Sequence, residues 1–156
     1  MAFKTNVMRI LDKAKIEYKT HNYSDKDALS GVEVADALGE NPEQVFKTLV
    51  TKGKSGDYFV FMIPVAEELD LKKAAKAVNE KSVEMIKQKG LLKTTGYIHG
   101  GCSPIGMKKQ FKTTVHFTAE NFDTVIFSGG KIGWQVEMSI DSLKKIVPCE
   151  LKDIIV

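Results

Sequence analysis

A chain of 156 residues and 17.3 kDa has the size of one domain, expected to run from 1 to 156, and surface scaling lets it bury about two-thirds of its extended-chain surface. With 43% hydrophobic and 28% charged residues, it is excluded from the collagen-like and disordered classes, and its longest apolar run, Tyr58–Ala66, is too short for a bilayer and carries Pro64. A net charge of +3 says little about partners, and two cysteines, Cys102 and Cys149, make no disulfide framework and fit a reducing, cytoplasmic setting.

The N-terminal MAFKTNVMRILDK is amphipathic with charges at both ends and lacks the apolar stretch of a secretory signal. Val7, Met8, Ile10, Leu11 and Ala14 recur at helical spacing, which predicts a helix near 5–16. Ser30 with Glu33 matches a capping box ahead of Val34, Ala35 and Leu38, with Gly39 as the stop. Asn41-Pro42 opens a further short helical turn. From Val45 the residues become β-branched and aromatic: VFKTLVTK, a GKSG turn and YFVFMIPV read as a hairpin. Asp70 caps a helix LKKAAKAV that ends near Asn79. Strands are expected around Val83, around Tyr97-Ile98, and at 113–117, 124–128 and 135–138. Ser139 and Asp141 begin a last helix, halted before Pro148. Helices and strands mix without strict alternation, so the expected fold is α+β, a mixed sheet curling toward a barrel with helices on its outside.

The charge is unevenly placed. No acidic residue lies between Glu84 and Glu120, yet Lys87, Lys89, Lys93, Lys108, Lys109 and Lys112 do, beside Gly96, Gly100, Gly101 and Gly106. Lysines next to accessible backbone amides suit phosphate, although a solvated lysine-rich face reads the same way. Arg9 is the lone arginine against 22 lysines, so bidentate base readout is nearly absent and a nucleic acid would be gripped by backbone and terminus. His99 and Cys102 form the one close metal-type pair, too little for structural zinc. As a Cys–His nucleophile they would need a thiolate with a lowered pKa in this basic loop; as a plain thiol, Cys102 is a small buried hydrophobe. Gly129-Gly130-x-x-Gly133 only echoes a dinucleotide fingerprint, and no cofactor is expected. Lys47, between Phe46 and Leu49 in a strand, points either outward from an edge or into a site.

Four runs, NPEQVFKTLV (41–50), LDLKKAAKA (69–77), TTGYIHGGCSPIGMKK (94–109) and SGGKIG (128–133), taken together in this order, resemble the YbaK/EbsC-type aminoacyl-tRNA deacylases, relatives of the editing domain of bacterial prolyl-tRNA synthetases. The resemblance implies the same mixed barrel-like fold and ester cleavage of a wrongly attached amino acid from the tRNA 3′ end, typically cysteine on tRNA(Pro). The rivals are another small amino acid, alanine or serine, or a non-catalytic binder of tRNA ends. It implies Lys47 and Gly100 as catalytic residues. Tyr23, Thr48, the loop residues Gly101, Cys102, Ser103, Pro104, Ile105 and Gly106, and the turn Ser128, Gly129 and Gly130 are implied to hold substrate. The partners implied are the aminoacyl-tRNA acceptor end and prolyl-tRNA synthetase, with no membrane. No nucleophile–base pair stands out, and in the cysteine-specific relatives the substrate's own thiol attacks its ester. His99 and Cys102 depart from an aliphatic pair in close relatives, and Gln135 from an acidic or small polar residue.

Overall fold

The computed structural model describes residues 3–26 and 30–156, so the first two residues of the amphipathic N-terminal segment lie outside the described residues. Thr5 caps α1 (Asn6–Lys13) by accepting the Met8 N–H, and Val7, Met8 and Leu11 form its buried face. The helix predicted to reach residue 16 stops at Lys13, and Lys15 turns to a φ of 59° just beyond. Ser30 and Glu33 form the expected capping box of α2 (Gly31–Leu38), which ends at the left-handed Gly39. Asn41-Pro42 opens a single turn, as expected, closed by the Gln44 N–H on the Asn41 carbonyl at 2.9 Å. The expected hairpin is β2 (Phe46–Gly53) and β3 (Tyr58–Pro64). Asp70 caps α3 (Leu71–Ala77) through the Lys72 and Lys73 amides, and β4 (Val83–Met85) follows.

The next segment departs from expectation. Gln88–Thr95 is a helix, α4, and Tyr97-Ile98 is not a strand. Thr95 Oγ1 accepts the Tyr97 N–H, and Gly101 donates to the Ile98 carbonyl, so this stretch turns where its β-formers suggested extension. The strands β5 (Lys112–His116), β6 (Val125–Ser128) and β7 (Trp134–Met138) and the Ser139-capped helix α5 (Ile140–Ile146) match their predicted places. Two strands of four residues each escape the pattern: KTHN has no apolar residue, and CELK alternates over too short a run. They are β1 (Lys19–Asn22) and β8 (Cys149–Lys152), held by distant partners β7 and β5.

The strands form two sheets, ordered β4-β2-β3-β5-β8 and β1-β7-β6. The barrel-like curl therefore does not close: the sheets meet where Val45 bridges Ile126, with the Ile126 N–H on the Gln44 carbonyl at 3.1 Å. Between them lies the main core, where Phe46, Val50, Val60 and Met62 pack with Val7, Leu11, Phe127, Val136 and Met138. On the outer face of the larger sheet, Phe59, Phe61 and Ile63 pack under Ala74 and Ala75 of α3. α2 seats Ala35 on Val45, Val65 and Ile126 across the junction. Removing a fully buried phenylalanine such as Phe61 costs about 3–5 kcal/mol in such cores.

One detail of register positions the site. The Gly53 N–H bonds to the Asp57 carbonyl at 2.8 Å and the Val65 N–H to the Val45 carbonyl at 2.9 Å. Antiparallel pairing alternates, so the odd-numbered residues of β2 exchange hydrogen bonds with β3 and the even-numbered ones turn their backbone to the far edge. On that edge β4 pairs from Thr51 onward and β6 bridges only at Val45. Thr48 falls in the gap.

Candidate functional site

At this gap a cavity of about 340 Å³ opens, lined by β2 from Val45 to Leu49, by Ser30, Gly31, Val32 and Val34 of α2 and its cap, by Tyr23, by Phe127, Ser128 and Gln135, and by Leu91, His99, Gly100 and Cys102. Sites for small ligands run from roughly 300 to 1,000 Å³. Because it sits at a strand edge, residues from both faces of β2 reach it: Val45, Lys47 and Leu49 from one, Phe46 and Thr48 from the other. α2 approaches closely because Gly31 has no side chain; a Cβ there would lie 2.6 Å from Val65 Cγ1.

Lys47 is half-buried and lines the cavity. Among the described residues no carboxylate lies within ion-pair distance of it, and no Asp or Glu lines the cavity. An unneutralised ammonium in an acid-free cleft favours an anionic or strongly dipolar ligand. Thr48 adds a buried hydroxyl oxygen with no hydrogen-bond partner among the described residues, besides the backbone N–H and carbonyl that its place in the register turns away from β3.

The Gly100 side supplies donors. Gly100 takes a φ of 87°, and among the described residues neither the Gly100 nor the Cys102 backbone N–H has an acceptor. Burial disfavours the thiolate form of the thiol beside them. Cys102 is 8% exposed, and burial pushes its thiol up to about 12, against the opposing hydrogen bond of Thr95. The lowered pKa that a basic loop would give is overturned because the sulfur sits in the apolar interior, where the thiolate is poorly solvated. His99 is exposed, and no hydrogen bond joins the two.

Of the residues proposed from the sequence, Tyr23, Lys47, Thr48, Gly100, Cys102 and Ser128 come together at this cavity. The others do not line it. Gly101 packs on the backbone of Lys131 and Ile132, Ser103 and Ile105 are buried, with Ser103 Oγ accepting the Ile105 N–H, and Pro104 is buried between them. Gly106 lies against Tyr97 and Ile10. Gly129 bonds through its N–H to Trp134 and through its carbonyl to the Thr5 hydroxyl, and the Gly130 N–H donates to Ser128 Oγ.

A polar row that local pattern does not reveal stands behind Ser128. On the smaller sheet Gln135 is the direct cross-strand neighbour of both His21 and Ser128, so the three side chains share a face. His21 Nε2 lies 2.8 Å from Glu137 Oε1 and its Nδ1 lies 3.9 Å from Glu40 Oε2. Burial pushes the Glu40 carboxyl above its ordinary value, opposed by His21 and by the Gln135 amide. For Glu137, hydrogen bonds from Thr124 and His21 outweigh burial and hold the carboxyl below its ordinary value. Among the described residues no group of three or more acidic, histidine or cysteine side chains is arranged to hold a metal ion.

Comparison with known proteins places this geometry. A family model described as "Aminoacyl-tRNA editing domain" matches residues 25–146. EbsC of Enterococcus faecalis, by its name a candidate Cys-tRNA(Pro)/Cys-tRNA(Cys) deacylase, is 44% identical over 97% of this chain and 93% of its own. A proline–tRNA ligase of Kosmotoga olearia is 29% identical over 65% of this chain, a match that spans 17% of the ligase. The crystal structure of a candidate trans-editing enzyme for prolyl tRNA synthetase superposes with a TM-score of 0.84 at 19% identity, covering 99% of each chain, which shows the shared fold. The chain is a member of the aminoacyl-tRNA editing domain family.

Proposed function

We propose that this chain is a trans-editing aminoacyl-tRNA deacylase that clears cysteine from mischarged Cys-tRNA(Pro). The observation that carries the reading is the half-buried Lys47, without an acidic partner among the described residues, in the same cavity as the Gly100 amide, whose N–H has no acceptor among them. A tRNA 3′ end brings phosphates, a ribose and an aminoacyl ester. The ammonium holds the terminal phosphate or ribose side by charge, while the cavity takes the amino acid. As the ester carbonyl becomes tetrahedral, its oxygen gains negative charge, and the Gly100 and Cys102 N–H groups are the donors available to stabilise it.

With the enzyme thiol protonated, the attacking group comes from the substrate. The cysteinyl sulfur bonds to its own carbonyl carbon, the carbon–oxygen ester bond breaks, and the thiol proton ends on the released ribose oxygen, leaving a cyclic thiolactone and free tRNA. Such intramolecular attack has effective molarities of roughly 10⁵–10⁸ M when geometry is held, so positioning replaces a side-chain nucleophile. Translation-coupled editing puts the enzyme in the cytoplasm, and prolyl-tRNA synthetase is the partner suited to deliver the tRNA.

The experiment is a panel of cysteinyl-, alanyl- and seryl-tRNA(Pro) incubated with the full chain. Rapid loss of cysteine with thiolactone as product is expected. Preferential loss of alanine or serine would reassign the amino acid, and rates equal to buffer for all three would overturn the enzyme.

A further inference from the structure

We propose that Gln135, locked by Glu40, is a fixed acceptor for the substrate's free α-ammonium, so that the site takes aminoacyl esters and rejects N-acylated ones. This rests on the deacylase reading and names the substrate class within it. Gln135 is 5% exposed and lines the cavity. One end of its carboxamide lies 2.8 and 3.2 Å from the two Glu40 oxygens and the other end has only donors beside it, so the hydrogen-bond surroundings assign the nitrogen to the Glu40 end. A carboxylate accepts and never donates, so Glu40 dictates which way round the amide sits: nitrogen toward the carboxylate, oxygen away from it. A carbonyl oxygen has two lone pairs and keeps capacity for a ligand.

Glu40 is itself held in place. It follows the Gly39 cap, its N–H bonds to the Ala35 carbonyl at 2.8 Å, its side chain is 6% exposed, and His21 stands between it and Glu137. Among the described residues no carboxylate lines the cavity. Of the side-chain hydroxyls there, Ser30 Oγ accepts the Glu33 N–H and Ser128 Oγ the Gly130 N–H, while Thr48 Oγ1 has no partner among the described residues. An α-ammonium entering beside Gln135 meets a carbonyl dipole oriented by the Glu40 carboxylate. Acetylating the amine removes its charge and two of its donors.

The test measures binding and turnover together. Binding uses cysteinyl-adenosine joined by a 3′-amide, which lacks the scissile ester, and its N-acetyl form; turnover uses Cys-tRNA(Pro) and N-acetyl-Cys-tRNA(Pro). Wild type is expected to favour the free amine by about 10- to 100-fold, the range of a hydrogen bond to a charged group. Gln135→Leu, similar in bulk, should shrink that ratio to within about threefold, and Gln135→Glu, which keeps an acceptor, should preserve it. Glu40→Gln frees the amide to flip and should lower the ratio, and adding Gln135→Glu to it, which exchanges acid and amide, should restore it. Equal binding of the two analogues by wild type, no binding of either, or an undiminished ratio in folded Gln135→Leu overturns the proposal. An unchanged ratio in Glu40→Gln removes the positioning role of Glu40. Analogue discrimination without cleavage of either ester would sink the deacylase reading and leave the acceptor standing.

Discussion

The pairs Gly100-Gly101 and Gly129-Gly130 differ in what their backbones touch. At Gly129-Gly130 the polar groups are spent internally: Gly129 bonds to Trp134 and Thr5, Gly130 to Ser128, and a Cβ on Gly130 would lie 2.8 Å from Val7 Cγ2. At Gly100 the N–H is unspent, and a Cβ would meet Ile132 no closer than 3.4 Å. Both glycines have positive φ, 87° and 96°, so backbone conformation alone does not separate them. A loop that has used its hydrogen bonds holds the fold together, whereas one that has kept them can offer them to a ligand.

The strongest way to break this contrast is to exchange the expected losses. Lys47→Ala, in the cavity that Gly100 also lines, should reduce kcat/KM for Cys-tRNA(Pro) by about 100-fold or more, the scale of a lost transition-state contact, with an unchanged melting temperature. Activity retained in the folded variant would remove Lys47 from the site. Gly130→Ala should do the reverse. The overlap with Val7 and the left-handed backbone together cost about 2–4 kcal/mol, read as a lowered denaturation midpoint, while kcat per folded molecule holds. Loss of turnover without loss of stability would make the second glycine pair part of the site. Gly100→Ala sharpens the difference. Strain at positive φ costs about 1–2 kcal/mol, and displacement of one N–H should lower kcat by about tenfold while KM moves less.

The smallest effect is expected at Cys102. Cys102→Ser should keep turnover within about threefold, because a side chain that stays protonated supplies no nucleophile. With its thiol raised to about 12, the charged form gains population only as pH climbs toward that value. Its alkylation should therefore be slow at pH 8 and rise about tenfold per pH unit. Fast labelling at pH 7 would contradict the buried thiol.

Much of the chain was legible from its residues, for reasons that are local. The capping box at Ser30 and Glu33, the stop at Gly39, the Asp70 cap and the β-branched and aromatic hairpin around its GKSG turn each consist of residues within a few positions of one another, and their physics needs no distant partner. Where the pattern failed, the deciding contact was remote: KTHN becomes a strand because Trp134–Glu137 lies beside it, and CELK because β5 offers an edge. The helix at Gln88–Thr95 has no capping side chain, so its start carries no signal.

For the site, the acid-free lysine stretch and the resemblance of four runs brought out Lys47, Gly100 and Ser128, but the residues alone left Lys47 free to point either way. The sequence by itself determined the family, the individual elements and the scarcity of side-chain nucleophiles, since these depend on residue identity and short spacing. Tertiary structure alone decided that β2 keeps an unpaired stretch at Thr48, that the Glu40 carboxylate meets the Gln135 carboxamide, and that burial raises the Cys102 thiol. Each of those depends on which groups from distant parts of the chain lie within a few ångströms, and on how much water they exclude.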